Sequence, residues 1–185
     1  SLDCRFLACS SFDRKIWLWD LQNQQCLHTF EGHTSEIKAL VFSPTGQFIA
    51  SSSADSTIRI WDIQKLQFLY TLRGHTNWVS PIVFSQNGQF LASGSGDHTV
   101  RLWDIKQQKC IHIFEGHTDW IRSVSFNPNG KTIASGSNDG TIRLWDSQTG
   151  NCLATLQVPR PYEGTDITDV QGLNEAQRTA MLTLG

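Results

Sequence analysis

The sequence has 185 residues, 39% of them hydrophobic, with 15 basic and 17 acidic side chains and a net charge of −2. That composition can build a core, and it lacks the cationic excess that binds phosphate backbones, so nucleic acid is not an expected partner. No apolar run approaches the ~20 residues that span a bilayer, so no membrane insertion is expected either. No basic start leads into a long apolar stretch, and the only Met is Met181; the sequence reads as part of a longer, cytoplasmic chain.

Repeats organise everything that follows. Trp-Asp occurs at 19–20, 61–62, 103–104 and 145–146, each step 42 residues, and Gly-His at 32–33, 74–75 and 116–117 with the same step. An Asp precedes each of those Trp by six positions, at Asp13, Asp55, Asp97 and Asp139. Within one period, short alternating runs separated by turn residues predict strands. Beginning at Gly32, they are Ile37 to Phe42, Gln47 to Ser52, Thr57 to Asp62 and Phe68 to Leu72. Ser43-Pro44-Thr45-Gly46 divides the first pair, and its equivalents Asn87-Gly88 and Asn129-Gly130 are strong hairpin signals.

Four short strands per 42 residues, marked by Gly-His and Trp-Asp, resemble the blades of the WD-repeat β-propeller family from residue 5 to about residue 156. The resemblance implies an all-β fold. It comprises a partial blade over 1–30 that begins at its second strand, full blades over 31–72, 73–114 and 115–156, and a C-terminal segment over 157–185. Because rings of this kind close with more blades, the expectation is the C-terminal part of a propeller, which in isolation self-associates through uncovered faces. In the last segment, Asn174 reads as an N-cap, and Leu173, Ala176, Ala180, Met181 and Leu184 form one stripe of a predicted helix. That tail is similar to the ends of large bacterial multidomain WD-repeat signalling proteins.

Each full period holds a His, Ser, Asp and Trp at fixed offsets: His33, Ser51, Asp55 and Trp61; His75, Ser93, Asp97 and Trp103; His117, Ser135, Asp139 and Trp145. A hydrolase reading takes each as a Ser-His-Asp triad. The family resemblance instead implies a structural hydrogen-bonded tetrad. Donor and acceptor chemistry allows that chain, and three copies favour structure over a single active site. In the partial blade Cys9 stands where Ser is expected, which puts its set in doubt.

The remaining candidates divide between packing and binding. Cys26, Cys110 and Cys152 share one place in the period with Phe68, which predicts a buried small hydrophobe; without a Cys-x-x-Cys pair no metal is expected, nor any cofactor. Arg59, Arg101 and Arg143, two residues before each Trp, are expected to face solvent. His98 is a solvated turn residue, and His28 and His112 are too isolated for a metal site. Glu36, Trp78 and Trp120 each follow the marker His by three residues, in loops that the family opens on one rim where protein partners bind. Two loop tryptophans about one blade apart fit an interface hot spot; the competing reading has them packing over the neighbouring blade. Together these features predict a non-catalytic protein–protein interaction scaffold.

Overall fold

In the computed structural model, which describes residues 1 and 3–157, fifteen strands form four antiparallel sheets in strict chain order. The first has three strands, β1 (Phe6–Ser10), β2 (Ile16–Asp20) and β3 (Gln25–Phe30). The second has four: β4 (Ile37–Phe42), β5 (Phe48–Ser53), β6 (Ile58–Asp62) and β7 (Gln67–Leu72). The third runs β8 (Val79–Phe84), β9 (Phe90–Ser95), β10 (Val100–Asp104) and β11 (Lys109–Phe114). The fourth runs β12 (Ile121–Phe126), β13 (Thr132–Ser137), β14 (Thr141–Asp146) and β15 (Cys152–Gln157). Strand bounds differ from the sequence expectation by one residue at β5, β6 and β7. Ser43 accounts for the first: its Oγ accepts from Phe48 N at 3.0 Å, so the turn extends through Gln47. The predicted helix near the C-terminus lies outside the described residues, and no helix among the described residues is long and apolar enough to cross a membrane.

The sheets stack face to face. β4 packs on β1, β8 on β4 and β5, and β12 on β8 and β9, so the first strands of the full sheets adjoin one another. Alternation along each strand gives every sheet two apolar faces. Ala50, Ile58, Ile60 and Leu72 of the second sheet meet Val79, Ile82, Leu91 and Trp103 of the third. The third sheet's Ala92, Val100, Leu102 and Phe114 then meet Ile121, Ile133 and Trp145 of the fourth. Ile16, Leu18 and Phe30 meet Ile37, Ile49 and Trp61 by the same rule one step earlier.

Two departures from strict alternation recur. Between β4 and β5 the register passes from Ile37 opposite Ser53 to Ala39 opposite Ser52, leaving Lys38 as an extra residue. β12 does the same at Arg122, and β8 slips between Val79 and Ile82, where Pro81 has no N–H to give to a ladder. In the first three sheets the outer strand bulges opposite the Trp of the Trp-Asp pair, between Ile60 and Trp61 in the second sheet. Bulges bend a strand and re-aim its side chains.

The stacking rule generates a paired test. Ile58 and Ile142 occupy the same place two periods apart, but Ile58 is fully buried under the third sheet and Ile142 is 43% exposed. Ile58→Ala should cost about 2–5 kcal/mol, as buried large-to-small changes do, and Ile142→Ala well under half of that. Denaturant titration of both variants measures the difference, and equal losses would contradict the stacking account.

Candidate functional site

The three tetrads assemble with nearly identical geometry. Trp61 Nε1 donates to Ser51 Oγ at 2.8 Å, His33 Nε2 lies 2.8 Å from the same oxygen, and His33 Nδ1 lies 2.8 Å from Asp55 Oδ2. The corresponding distances are all 2.8 Å for Trp103, Ser93, His75 and Asp97. For Trp145, Ser135, His117 and Asp139 they are 2.8, 2.8 and 2.7 Å. An indole N–H can only donate, so the Ser oxygen accepts it and donates its own O–H to His Nε2, and the Nδ1–H then donates to the carboxylate. A neutral imidazole satisfies every member. In the first sheet this set does not form: Cys9 Sγ approaches Trp17 O at 3.8 Å, and Asp13 is exposed, accepting from Lys15 N at 3.1 Å.

Electrostatics agrees with that proton chain. Burial disfavours the imidazolium at His33 and His75 and lowers both below the ordinary 6.5, outweighing the adjacent carboxylates. Burial opposes ionisation of Asp55, but hydrogen bonds from Thr57, His33 and Thr34 outweigh it and bring its pKa down to about 2. Asp97 and Asp139 are likewise held below the usual carboxylate range against their burial, chiefly by His75 at Asp97 and by Thr141 and the Thr118 N–H at Asp139. The serines are the wrong kind of nucleophile for a hydrolase. Ser51 and Ser93 have no exposed surface, and each hydroxyl already accepts an indole N–H.

The arginines correct the sequence expectation. Arg59, Arg101 and Arg143 are half-buried, and their Nε atoms are buried without a hydrogen-bond partner. Each guanidinium lies on the Gly of a Gly-His pair: a Cβ at Gly74 would fall 2.6 Å from Arg101 Nη1, and the φ of +152° there suits glycine. The cysteines correct it too. Cys26 and Cys152 are exposed and Cys110 half-buried, with Phe68 44% exposed, because among the described residues the outer strand of each sheet has a neighbour on one edge only. His112 Nε2 pairs with Gln148 O at 3.0 Å, and His98 is exposed in its turn at φ 69°. The Asp of each Trp-Asp pair has a role the markers alone did not reveal: Asp62 and Asp104 are buried and accept from Lys65 N and Gln107 N at 2.9 and 2.7 Å, closing the turn to the outer strand.

Trp78 and Trp120 are closer than the expected blade apart. Their ring centroids lie 5.3 Å apart, edge to face at 79°. Trp78 is half-buried against its own sheet, where a Cβ at Gly96 would meet its indole at 2.8 Å, while Trp120 is 40% exposed. Packing and display are therefore both present, divided between the two rings. The loops that carry them are pinned: Gly96 N donates to Trp78 O at 2.9 Å and Asn138 N to Trp120 O at 3.0 Å, with Ala54 N to Glu36 O at 2.8 Å in the equivalent place. Glu36 is half-buried and pairs with Lys38 at 2.7 Å. Two further members were missed from sequence. The bulge at β12 sends the Arg122 guanidinium to 5.8 Å from the Trp78 ring centre and 5.1 Å from that of Trp120. Phe12, in the β1–β2 turn, is 88% exposed beside Glu36 and Ile37. A larger groove of about 640 Å³ opens at the opposite strand ends, where Ser85 Oγ pairs with Asn87 Oδ1 at 2.7 Å and Ser147 Oγ with Gly130 O at 2.8 Å.

Two outcomes test the tetrads. His75→Ala takes the acceptor from the Ser93 hydroxyl proton and one donor from Asp97, and should cost about 1–3 kcal/mol in a denaturant series, whereas Cys9→Ala should cost less. The second concerns pH. His33 and His75 bind protons more readily unfolded than folded, so their contribution is complete above 6.5 and is lost as pH falls below it. Asp55 contributes above 3.8 and loses that contribution as pH falls through about 2. Thermal melts should therefore decline in two stages on acidification, and a Tm unchanged between about pH 7 and 5 would contradict a neutral imidazole in the tetrad.

Comparison with known proteins fits this architecture. Over 42 residues the chain is 48% identical to the nuclear distribution protein PAC1 of Cryptococcus neoformans var. neoformans serotype D, a stretch covering 23% of this chain and 10% of the relative. Over 47 residues it is 40% identical to the protein of the same name from Mycosarcoma maydis, covering 25% of this chain and 10% of the relative. The matched stretches thus span about a tenth of those relatives' length and about one repeat of this chain. The family described as WD domain, G-beta repeat, matches residues 24–62, 66–104 and 108–146, each match running from an outer strand through the first three strands of the next sheet. With three such repeats covering more than half of its length, the chain belongs to the WD-repeat family.

Proposed function

We propose that this chain is a non-catalytic protein–protein interaction scaffold, the C-terminal part of a WD-repeat propeller that serves as the binding module of a larger cytoplasmic signalling protein. The observation that carries this reading is the Trp78–Trp120 pair, an aromatic surface held on pinned loops with one ring 40% exposed. Tryptophan is enriched among interface hot spots, and a surface that is already ordered loses little freedom on binding. Phe12 extends the apolar rim towards the first sheet, and Glu36 marks a polar position between them. Uncovered apolar positions on the outward faces, Leu7 at 50% and Ile142 at 43%, support self-association of the isolated chain. An architectural spacer without a specific partner is the competing reading.

Trp120→Ala is the discriminating variant, because Trp78 also packs against its own sheet. Captured partner should be lost, with an affinity decrease worth about 2 kcal/mol or more, as for buried aromatic anchors. The melting temperature should move much less than in Trp78→Ala. Affinity capture from the source cell with wild type and Trp120→Ala, beside a melting curve of each, makes the comparison. Equal capture by both would favour the spacer.

A further inference from the structure

We infer that the partner segment of this rim is an acidic peptide, its side-chain carboxylate taken by Arg122 and an adjoining apolar side chain seated on Trp78 and Trp120; this rests on the docking role proposed above. The rim encloses a cavity of about 390 Å³ lined by Lys38, Ala54, Trp78, Ser80, Trp120 and Arg122. The ionised side chains in that lining, Lys38 and Arg122, are both cations.

Two indoles set edge to face would ordinarily suit an ammonium ligand, which seeks the negative ring face. Here that position is filled from within: the Arg122 guanidinium lies 5.8 and 5.1 Å from the two ring centres. A cationic ligand would meet like charge, and a carboxylate would meet opposite charge beside apolar surface. Arg122 is also oriented for the task. Its Nε donates to Asn138 Oδ1 at 2.8 Å, which fixes the plane of the group and points the binding task at its terminal nitrogens, a fork that matches a carboxylate in two parallel bonds. Lys38 is held by Glu36 at 2.7 Å, so that pair adds no net charge to the mouth, and selectivity rests on Arg122. The nearby Asp119 carboxylate is turned to its own loop, accepting from Trp120 N at 2.7 Å.

The test is fluorescence anisotropy on the 185-residue chain with three octapeptide pools, each carrying a neutral dye and an amidated C-terminus. One pool places Asp or Glu beside Leu, Ile or Phe; the second replaces the acids by Asn or Gln; the third replaces them by trimethyl-lysine. The acidic pool should bind about tenfold or more tighter than the amide pool, with the trimethyl-lysine pool weakest. Arg122→Gln should bring the acidic pool to the level of the amide pool, Arg122→Lys should restore part of the preference, and Trp120→Ala should weaken both pools. Melting curves of each variant confirm folding. If the amide or trimethyl-lysine pool binds as tightly as the acidic one, and Trp120→Ala still weakens it, the acidic inference is overturned and the docking role stands. Binding by no pool, or binding indifferent to Trp120, overturns both.

Discussion

One hydroxyl in each full sheet has to serve two neighbours at once. Ser51, Ser93 and Ser135 accept an indole N–H and donate to an imidazole, and no other small side chain can do both in the same volume. This sets the tautomer of the His, which in turn points a proton at the Asp. The Asp then gathers the backbone N–H of the loop behind the Gly-His pair, as Asp97 does with Thr76 N at 3.1 Å. A loop, a turn and two strands are tied at one point deep in the sheet. Since buried polar groups are tolerable only when satisfied, the chain of bonds is stable as a whole and weak in any part.

That tie is what makes the opposite feature possible. With the loops before β4, β8 and β12 fixed from below, the first strands can carry bulges near their starts without loosening. The bulges lift Lys38 and Arg122 out of the alternation that governs the rest of each sheet. Arg122 then reaches two indoles that come from different sheets, because Trp78 precedes β8 and Trp120 precedes β12. The rim is therefore a joint product of neighbouring sheets, and its shape depends on their spacing. Gly94 shows how tight that spacing is: a Cβ there would fall 2.8 Å from Ile121 Cβ and from Pro81.

Much of this was legible in the residues. The 42-residue period, the strand pattern and the recurring His, Ser, Asp and Trp follow from spacing, and the family resemblance implied the tetrad that donor chemistry allows them. What escaped the sequence escaped for identifiable reasons. Period-two reasoning assigns Arg122 to a plain strand position, and only the register slip at β12 re-aims it. The arginines at 59, 101 and 143 looked solvated because alternation says which face a side chain takes, not whether a neighbouring Gly leaves room to lie down. The cysteines looked buried because their exchange with Phe68 suggested an apolar site, yet among the described residues an outermost strand has no partner on its far edge. Phe12 carries no repeat marker, so spacing alone does not single it out, and it is among the most exposed apolar side chains of the described residues.

The phase of the repeat against the sheet has a genetic consequence. Each matched unit, such as residues 24–62, contributes the outer strand of one sheet and three strands of the next, and it contains a whole tetrad, His33 to Trp61. A crossover between misaligned copies of the coding sequence would therefore delete or add one sheet without splitting a tetrad. The new neighbours would also fit, because each sheet offers one face to the sheet before it and the other to the sheet after it. Such a chain can change its number of sheets by recombination in a single event, and can shuffle which loop residues stand side by side on the rim while the framework beneath them is unaltered.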